Sequence, residues 1–204
     1  MKDKPVLGVL CSGRGTNLQS ILTAVESGQI PASIGVVLTD KPEAKALERA
    51  EKAGITHAFI DRRAYETRRD FEEQLVAKLR QHDVSLVILA GFMRILSSYF
   101  VQQYPGRILN VHPALLPAFP GAHAHRDVLA YGVKVSGCTI HFVDEGTDSG
   151  PIILQAAVPV LPEDTEETLA ERVLAVEHRL YPRAIALCVK GQLRVEGRHV
   201  HILS

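Results

Sequence analysis

Short apolar runs separated by amphipathic stretches recur through the first half of the sequence, and that alternation admits few architectures. "PVLGVL" is followed by Leu18, Ile21, Leu22 and Val25 at helical spacing, closing at Gly28. "SIGVVLTD" is followed by "PEAKALERAEKAG", with Pro42 near a helix start and Gly54 at its end, and "HAFI" by Phe71, Leu75, Val76 and Leu79. Strand-then-helix units of this kind build a parallel sheet. "VSLVILAGF" is apolar almost throughout, so it predicts a strand covered on both faces at the sheet centre.

After residue 105 the pattern changes. "GRILNVH" reads as a strand, "PALLPAFPGAHAH" as a Pro-rich loop, "RDVLAYG" as a short helix and "VKVSGCTIHFVDE" as an alternating strand. "PIILQAAVPV" returns after "GTDSG" as a hairpin, which makes that pairing antiparallel. Leu169, Val173, Val176, Leu180, Ala184 and Leu187 predict a long helix from Glu166 to Cys188, and the tail predicts a hairpin around Glu196 and Gly197. The expected fold is α/β, with a mostly parallel central sheet, an antiparallel C-terminal portion and helices on both faces.

A chain of 204 residues is long enough to bury about 70% of its unfolded surface without a disulfide or cofactor. Lys plus Arg and Asp plus Glu each number 23, so no net field draws the protein to nucleic acid or to an anionic membrane. No run of 18 apolar residues occurs, and the amino terminus is too short in its apolar part for a secretory signal. Cys11, Cys138 and Cys188 are odd in number and in no CxxC pair, which suits reduced thiols in a cytoplasmic protein.

"CSGRGTN" joins the first strand to the first helix, where backbone amides can converge on an anion. It is not a Walker loop, and Leu18 stands where a dinucleotide fingerprint has its third glycine. One reading is a terminal monophosphate held by the amides of Gly15, Thr16 and Asn17; the other is a tight turn in which Thr16 or Asn17 caps the helix.

Asn110 and His112 are two apart on a strand, so both project to one face while Val111 turns to the other, and Pro113 ends the strand. An amide can donate to an oxyanion and an imidazole can carry a proton near neutral pH. Asp148, between Gly146 and Gly150, could reach back to His112 and favour its charged form; Asp144 and Glu145 compete for that role. No Ser, Cys or Lys is placed as a nucleophile. His123, His125 and His141 lack an HExxH or paired-cysteine frame, so no metal is expected, and these histidines are read as pocket wall or as a cap on "RDVLAYG".

The motifs "SGRGTNLQ", "LAGFMRIL", "LNVHPALLPAFPG", "GCTIHFVDEGTDSGPIILQ" and "EHRLYP" together resemble those of the phosphoribosylglycinamide formyltransferases, folate-dependent enzymes of purine synthesis. The resemblance runs over essentially the whole chain. It implies a Rossmann-like formyltransferase fold as one domain over 1–204, with a phosphate/nucleotide-binding half at 1–105 and a catalytic and folate-binding half at 106–204. It implies Asn110, His112 and Asp148 as catalytic residues and Gly15, Thr16 and Asn17 as the phosphate loop. Glu177 matches an acid on the glycinamide part; Arg68 and the segment Met93, Arg94, Ile95 and Leu96, with Asn110, match the folate side. Thr147 and Ala114 depart from the pattern, standing where an apolar residue and a serine are common.

The implied co-substrate is 10-formyltetrahydrofolate and the acceptor glycinamide ribonucleotide, with no metal, nucleic acid or membrane partner; a homodimer is compatible with this. Rival readings are a formyltetrahydrofolate hydrolase, another formyl-group transferase, or a non-catalytic nucleotide or folate-binding module.

Overall fold

The computed structural model describes residues 4–203. Seven strands form one sheet: β1 (Val6–Cys11), β2 (Ser33–Thr39), β3 (His57–Phe59), β4 (Leu86–Leu89), β5 (Ile108–His112), β6 (Val135–Phe142) and β7 (Ile152–Pro159). Their order is β3-β2-β1-β4-β5-β6-β7, parallel from β3 through β5 and antiparallel at β5–β6 and β6–β7. The terminal hairpin is a separate two-stranded sheet, β8 (Leu193–Glu196) with β9 (His199–Ile202). The expected fold class is the observed one.

Alternation along β1 explains its unbroken hydrophobicity. Leu7, Val9 and Cys11 enter one apolar cluster with Leu18 and Ile21 of α1 (Thr16–Glu26), Ala46 and Ala50 of α2 (Lys45–Lys52), and Leu169, Val173 and Tyr181 of the long helix α6 (Glu166–Val189). Leu10 enters the opposite cluster with Phe71, Leu75 and Leu79 of α3 (Arg68–Gln81) and Phe100 of α4 (Ser98–Gln103). Both faces are thus dry, as a central parallel strand requires. Helix α5 (Ala124–Tyr131) ends at Gly132 in the left-handed region. The longer helices α3 and α6 begin with capping boxes, Thr67 with Asp70 and Thr165 with Thr168.

Two local expectations change, and one helix is new. Helix α2 starts at Lys45, not near Pro42, because Ala44 is still extended. Strand β6 is buried at every position from Ser136 to Phe142 instead of alternating, since β5 and β7 flank it and α6 and the loop after β5 cover its faces. Helix α4 was unmarked in the sequence; six residues give too short a window for periodicity.

Candidate active site

The carboxyl end of β5 presents Asn110 and His112 on one face, and Val111 is 8% exposed in the opposite core. Antiparallel register sets His141 of β6 directly across from Asn110 and Thr139 across from His112. Side chains directly opposite on neighbouring strands share a face. Asn110 Nδ2 is accordingly 3.2 Å from His141 Nε2. Thr139 is buried and uses its hydroxyl on the next loop, donating to Ala114 O at 2.7 Å and accepting from Leu116 N at 3.0 Å.

Asp148 closes the cluster from the β6–β7 connection. Its Oδ2 lies 3.3 Å from His112 Nδ1 and accepts from Gly121 N at 2.8 Å, while Oδ1 is 3.5 Å from Asn110 Nδ2 and 3.7 Å from His141 Nε2. Asp148 adopts φ 50°, a left-handed conformation that a non-glycine residue keeps only where its surroundings enforce it. Enforcement is visible. Asp144 Oδ1 accepts from Gly146 N and Ser149 Oγ, and Arg198 of the terminal hairpin donates to Ser149 O at 2.9 Å. A Cβ on Gly150 would come within 1.8 Å of Phe142 O, so only glycine lets the loop lie this close to β6. Asp144 therefore shapes the loop, Glu145 pairs with Gln102 at the surface, and of the three acids Asp148 meets the imidazole.

Hydrogen-bond roles follow from the acceptors present. His141 Nδ1 faces Phe142 O at 2.8 Å and must carry the proton there; burial holds the ring below its ordinary pKa, hence neutral, so Nε2 accepts from the Asn110 amide. His141 thereby fixes which way the amide points. His112 is 3% exposed with Nε2 2.8 Å from Phe119 O, so its two nitrogens face a backbone carbonyl and a carboxylate. Neither Phe119 nor His141's orienting contact was marked by the sequence, because both depend on pairing across segments.

The glycine loop stands at the start of α1. Gly15 is its N-cap in the left-handed conformation, and an added Cβ would lie 2.8 Å from Ala46 Cα. No side chain caps the helix, so the capping alternative for Thr16 or Asn17 does not apply and the first-turn amides stay available to a ligand. Asn17 turns inward: Nδ2 donates to Glu177 Oε2 of α6 at 2.8 Å, and its buried Oδ1 lacks a protein partner. Burial raises the Glu177 carboxyl above its ordinary range, and the Asn17 amide partly offsets that. One turn further along α6, the Tyr181 hydroxyl lies 3.0 Å from Leu89 O and 2.9 Å from Leu109 O. Helix α6 thus touches the glycine loop and the strand carrying Asn110.

On the other side, Arg68, Arg62, Phe71, Phe92 and Met93 to Leu96 line a groove of about 390 Å³. Arg68 donates from Nε to Glu72 at 3.1 Å and from its guanidinium to Ile95 O; buried Glu72 also accepts from Ser97 N at 2.8 Å. Met93 and Ile95 are 72% and 65% exposed, an apolar pair facing outward. A second groove of about 390 Å³ beside Thr16, Gln19, Arg49 and His178 runs along the outside of α1 and α6 and includes none of Asn110, His112 or Asp148. Among the described residues no group of three or more His, Cys, Asp or Glu is arranged to hold a metal. His123 precedes α5 without a side-chain cap bond, so the capping role read for it is not realised.

A family model described as formyl transferase matches residues 7–185. The chain belongs to the formyl transferase family. Phosphoribosylglycinamide formyltransferase of Bacillus subtilis is 43% identical over 177 residues, covering 87% of this chain and 91% of that protein. Trifunctional purine biosynthetic protein adenosine-3 of Drosophila melanogaster is 46% identical over 187 residues, 91% of this chain; the chain spans only 14% of that relative's length. Among solved structures, glycinamide ribonucleotide transformylase 1 from Symbiobacterium toebii superposes with a TM-score of 0.98 at 51% identity, covering 100% of this chain and 96% of that one.

Proposed function

We propose that this formyl transferase moves the formyl group of 10-formyltetrahydrofolate to the primary amine of glycinamide ribonucleotide, in purine biosynthesis. The observation that carries the reading is the convergence of Asn110, His112 and Asp148 at one end of the sheet. The names of relatives matched over most of their length, a phosphoribosylglycinamide formyltransferase and a glycinamide ribonucleotide transformylase, support the same acceptor. The amides of Gly15, Thr16 and Asn17 receive the phosphate, and the glycinamide part lies against Glu177. Asn17 and Glu177 form a polar pair beside the loop, with Asn17 Nδ2 donating to Glu177 Oε2, and a polar pair there suits an amine-bearing acceptor, which favours transfer over hydrolysis. Arg68 and Met93 to Leu96 receive the folate.

The amine nitrogen attacks the formyl carbon, forming the new C–N bond and a tetrahedral oxyanion. Asn110 and His112 donate to that oxyanion, which takes the place of Phe119 O as the acceptor on the imidazole. Asp148 orients the ring from the opposite nitrogen. Collapse breaks the bond to folate N10, and the proton lost by the attacking amine ends on that nitrogen, so no external acid or base is consumed. Among the described residues no helix is long and apolar enough to cross a membrane.

A spectrophotometric assay of folate deformylation with and without glycinamide ribonucleotide decides the reading. Turnover that requires the ribonucleotide supports transfer. Equal turnover without it selects the hydrolase, and no turnover in either case selects a binding module.

A further inference from the structure

Ser12 opens the glycine loop and Met93 opens the candidate folate segment, and the two touch. Ser12 N donates to Gly91 O at 3.0 Å, and Met93 N donates to Ser12 Oγ at 2.8 Å. Both meet at one carboxylate: Asp40, just beyond β2, accepts from Ser12 Oγ at 2.6 Å through Oδ1 and from Arg94 Nε at 2.6 Å through Oδ2. The Asp40 side chain is 1% exposed and that of Arg94 34%. A charge so deeply buried persists only with its partners in place.

We propose that Asp40 is a positioning residue for the formyl-donor site, acting through Ser12 and Arg94 to fix the Met93 to Leu96 backbone against the phosphate loop. This rests on the reading of Met93 to Leu96 as the folate segment. The geometry requires two acceptor atoms, because Ser12 O–H and Arg94 Nε–H approach different oxygens of one carboxylate. An amide has a single acceptor oxygen. Whichever way Asn turned at position 40, one of those donors would lose its acceptor. Ser12 also depends on Asp40: with its hydrogen given to the carboxylate, its lone pairs are free to receive Met93 N.

The test is steady-state kinetics of Asp40→Asn, Arg94→Gln and the double variant, with both substrates varied. Each single variant is expected to raise KM for 10-formyltetrahydrofolate about tenfold, the loss of one charge-assisted hydrogen bond. KM for glycinamide ribonucleotide stays within about twofold, kcat falls less than about threefold, and the double variant is no worse than either single one. An unchanged donor KM, an equal rise in both KM values, or additive effects would overturn the proposal. Should Asp40→Asn fail to fold, the 1H–15N spectrum of the wild-type protein decides: an Arg94 Nε–H resonance protected from exchange supports the pairing, and its absence overturns it. Wild-type protein that transfers no formyl group defeats the functional reading before any variant is made.

Discussion

His112 Nδ1 and Asp148 Oδ2 stand 3.3 Å apart although 36 positions separate them in the sequence, and that same oxygen accepts from Gly121 N at 2.8 Å. The imidazole is therefore oriented from outside its own strand. Asp148→Asn can keep both contacts through one amide oxygen only by setting its NH2 where Oδ1 now faces the Asn110 amide, donor against donor, and it removes the negative charge beside the ring. Turnover is expected to fall about a hundredfold or more, with both KM values little changed. Asn110→Ala is expected to cost about a hundred- to a thousandfold, and near-normal kcat in either purified variant would remove the assigned role.

Glu177 carries a pH signature. Its carboxyl is raised by burial, so the folded state favours the protonated form; stability from this group is present below its ordinary value of 4.5 and is lost as pH rises through the folded value. Glu177→Gln keeps an oxygen for Asn17 Nδ2 and removes that loss. The variant should melt higher than wild type at pH 7, by about 3 °C per kcal/mol recovered, and the difference should shrink toward pH 4. Its KM for the ribonucleotide should rise. A melting difference independent of pH would contradict the sign.

His141 acts in the opposite direction. Burial lowers its pKa from 6.5, so the unfolded chain takes up the proton more readily, and stability present above pH 6.5 is lost as pH falls through the folded value. His125 and His178 are lowered in the same way, again chiefly by burial. Denaturant melts are expected to weaken between pH 7 and pH 5, with a shallower slope in His141→Gln. Because His141 orients Asn110, the same variant should lose at least about tenfold in kcat at pH 7.5, where protonation plays no part. Wild-type kcat would show that the amide needs no such guide.

Gly15→Ala tests the phosphate loop. Alanine at φ 67° is strained, and its Cβ would press on the α2 backbone at 2.8 Å, so the loop must shift. A destabilisation of about 1–3 kcal/mol is expected, with KM for the ribonucleotide raised and KM for the folate spared. Calorimetric titration with the ribonucleotide measures the split directly.

Much of this was legible in one dimension. Asn110 and His112 stood out because strand periodicity places alternate residues together, and Asp148 because glycines flank it. What lay hidden is relational. His141 acquires its meaning from the β5–β6 register, Asp40 from the adjacency of β2, β1 and β4 ends, and Tyr181 from where a helix distant in sequence docks. Local pattern also misread β6, whose alternation suggested one wet face; Thr139 and His141 share a face, yet both are buried and committed to internal hydrogen bonds, and Ser136 on the other face is buried too.

Helix α6 gives the molecule an order of assembly. Glu177 secures Asn17, and Tyr181 reaches carbonyls on two central strands, so the amino-terminal β/α units lack these supports until residues near position 181 have left the ribosome. A nascent or proteolysed chain ending before that helix would expose the Leu18 and Ile21 side of its sheet, and supplying α6 as a separate peptide should restore compactness and ligand affinity together.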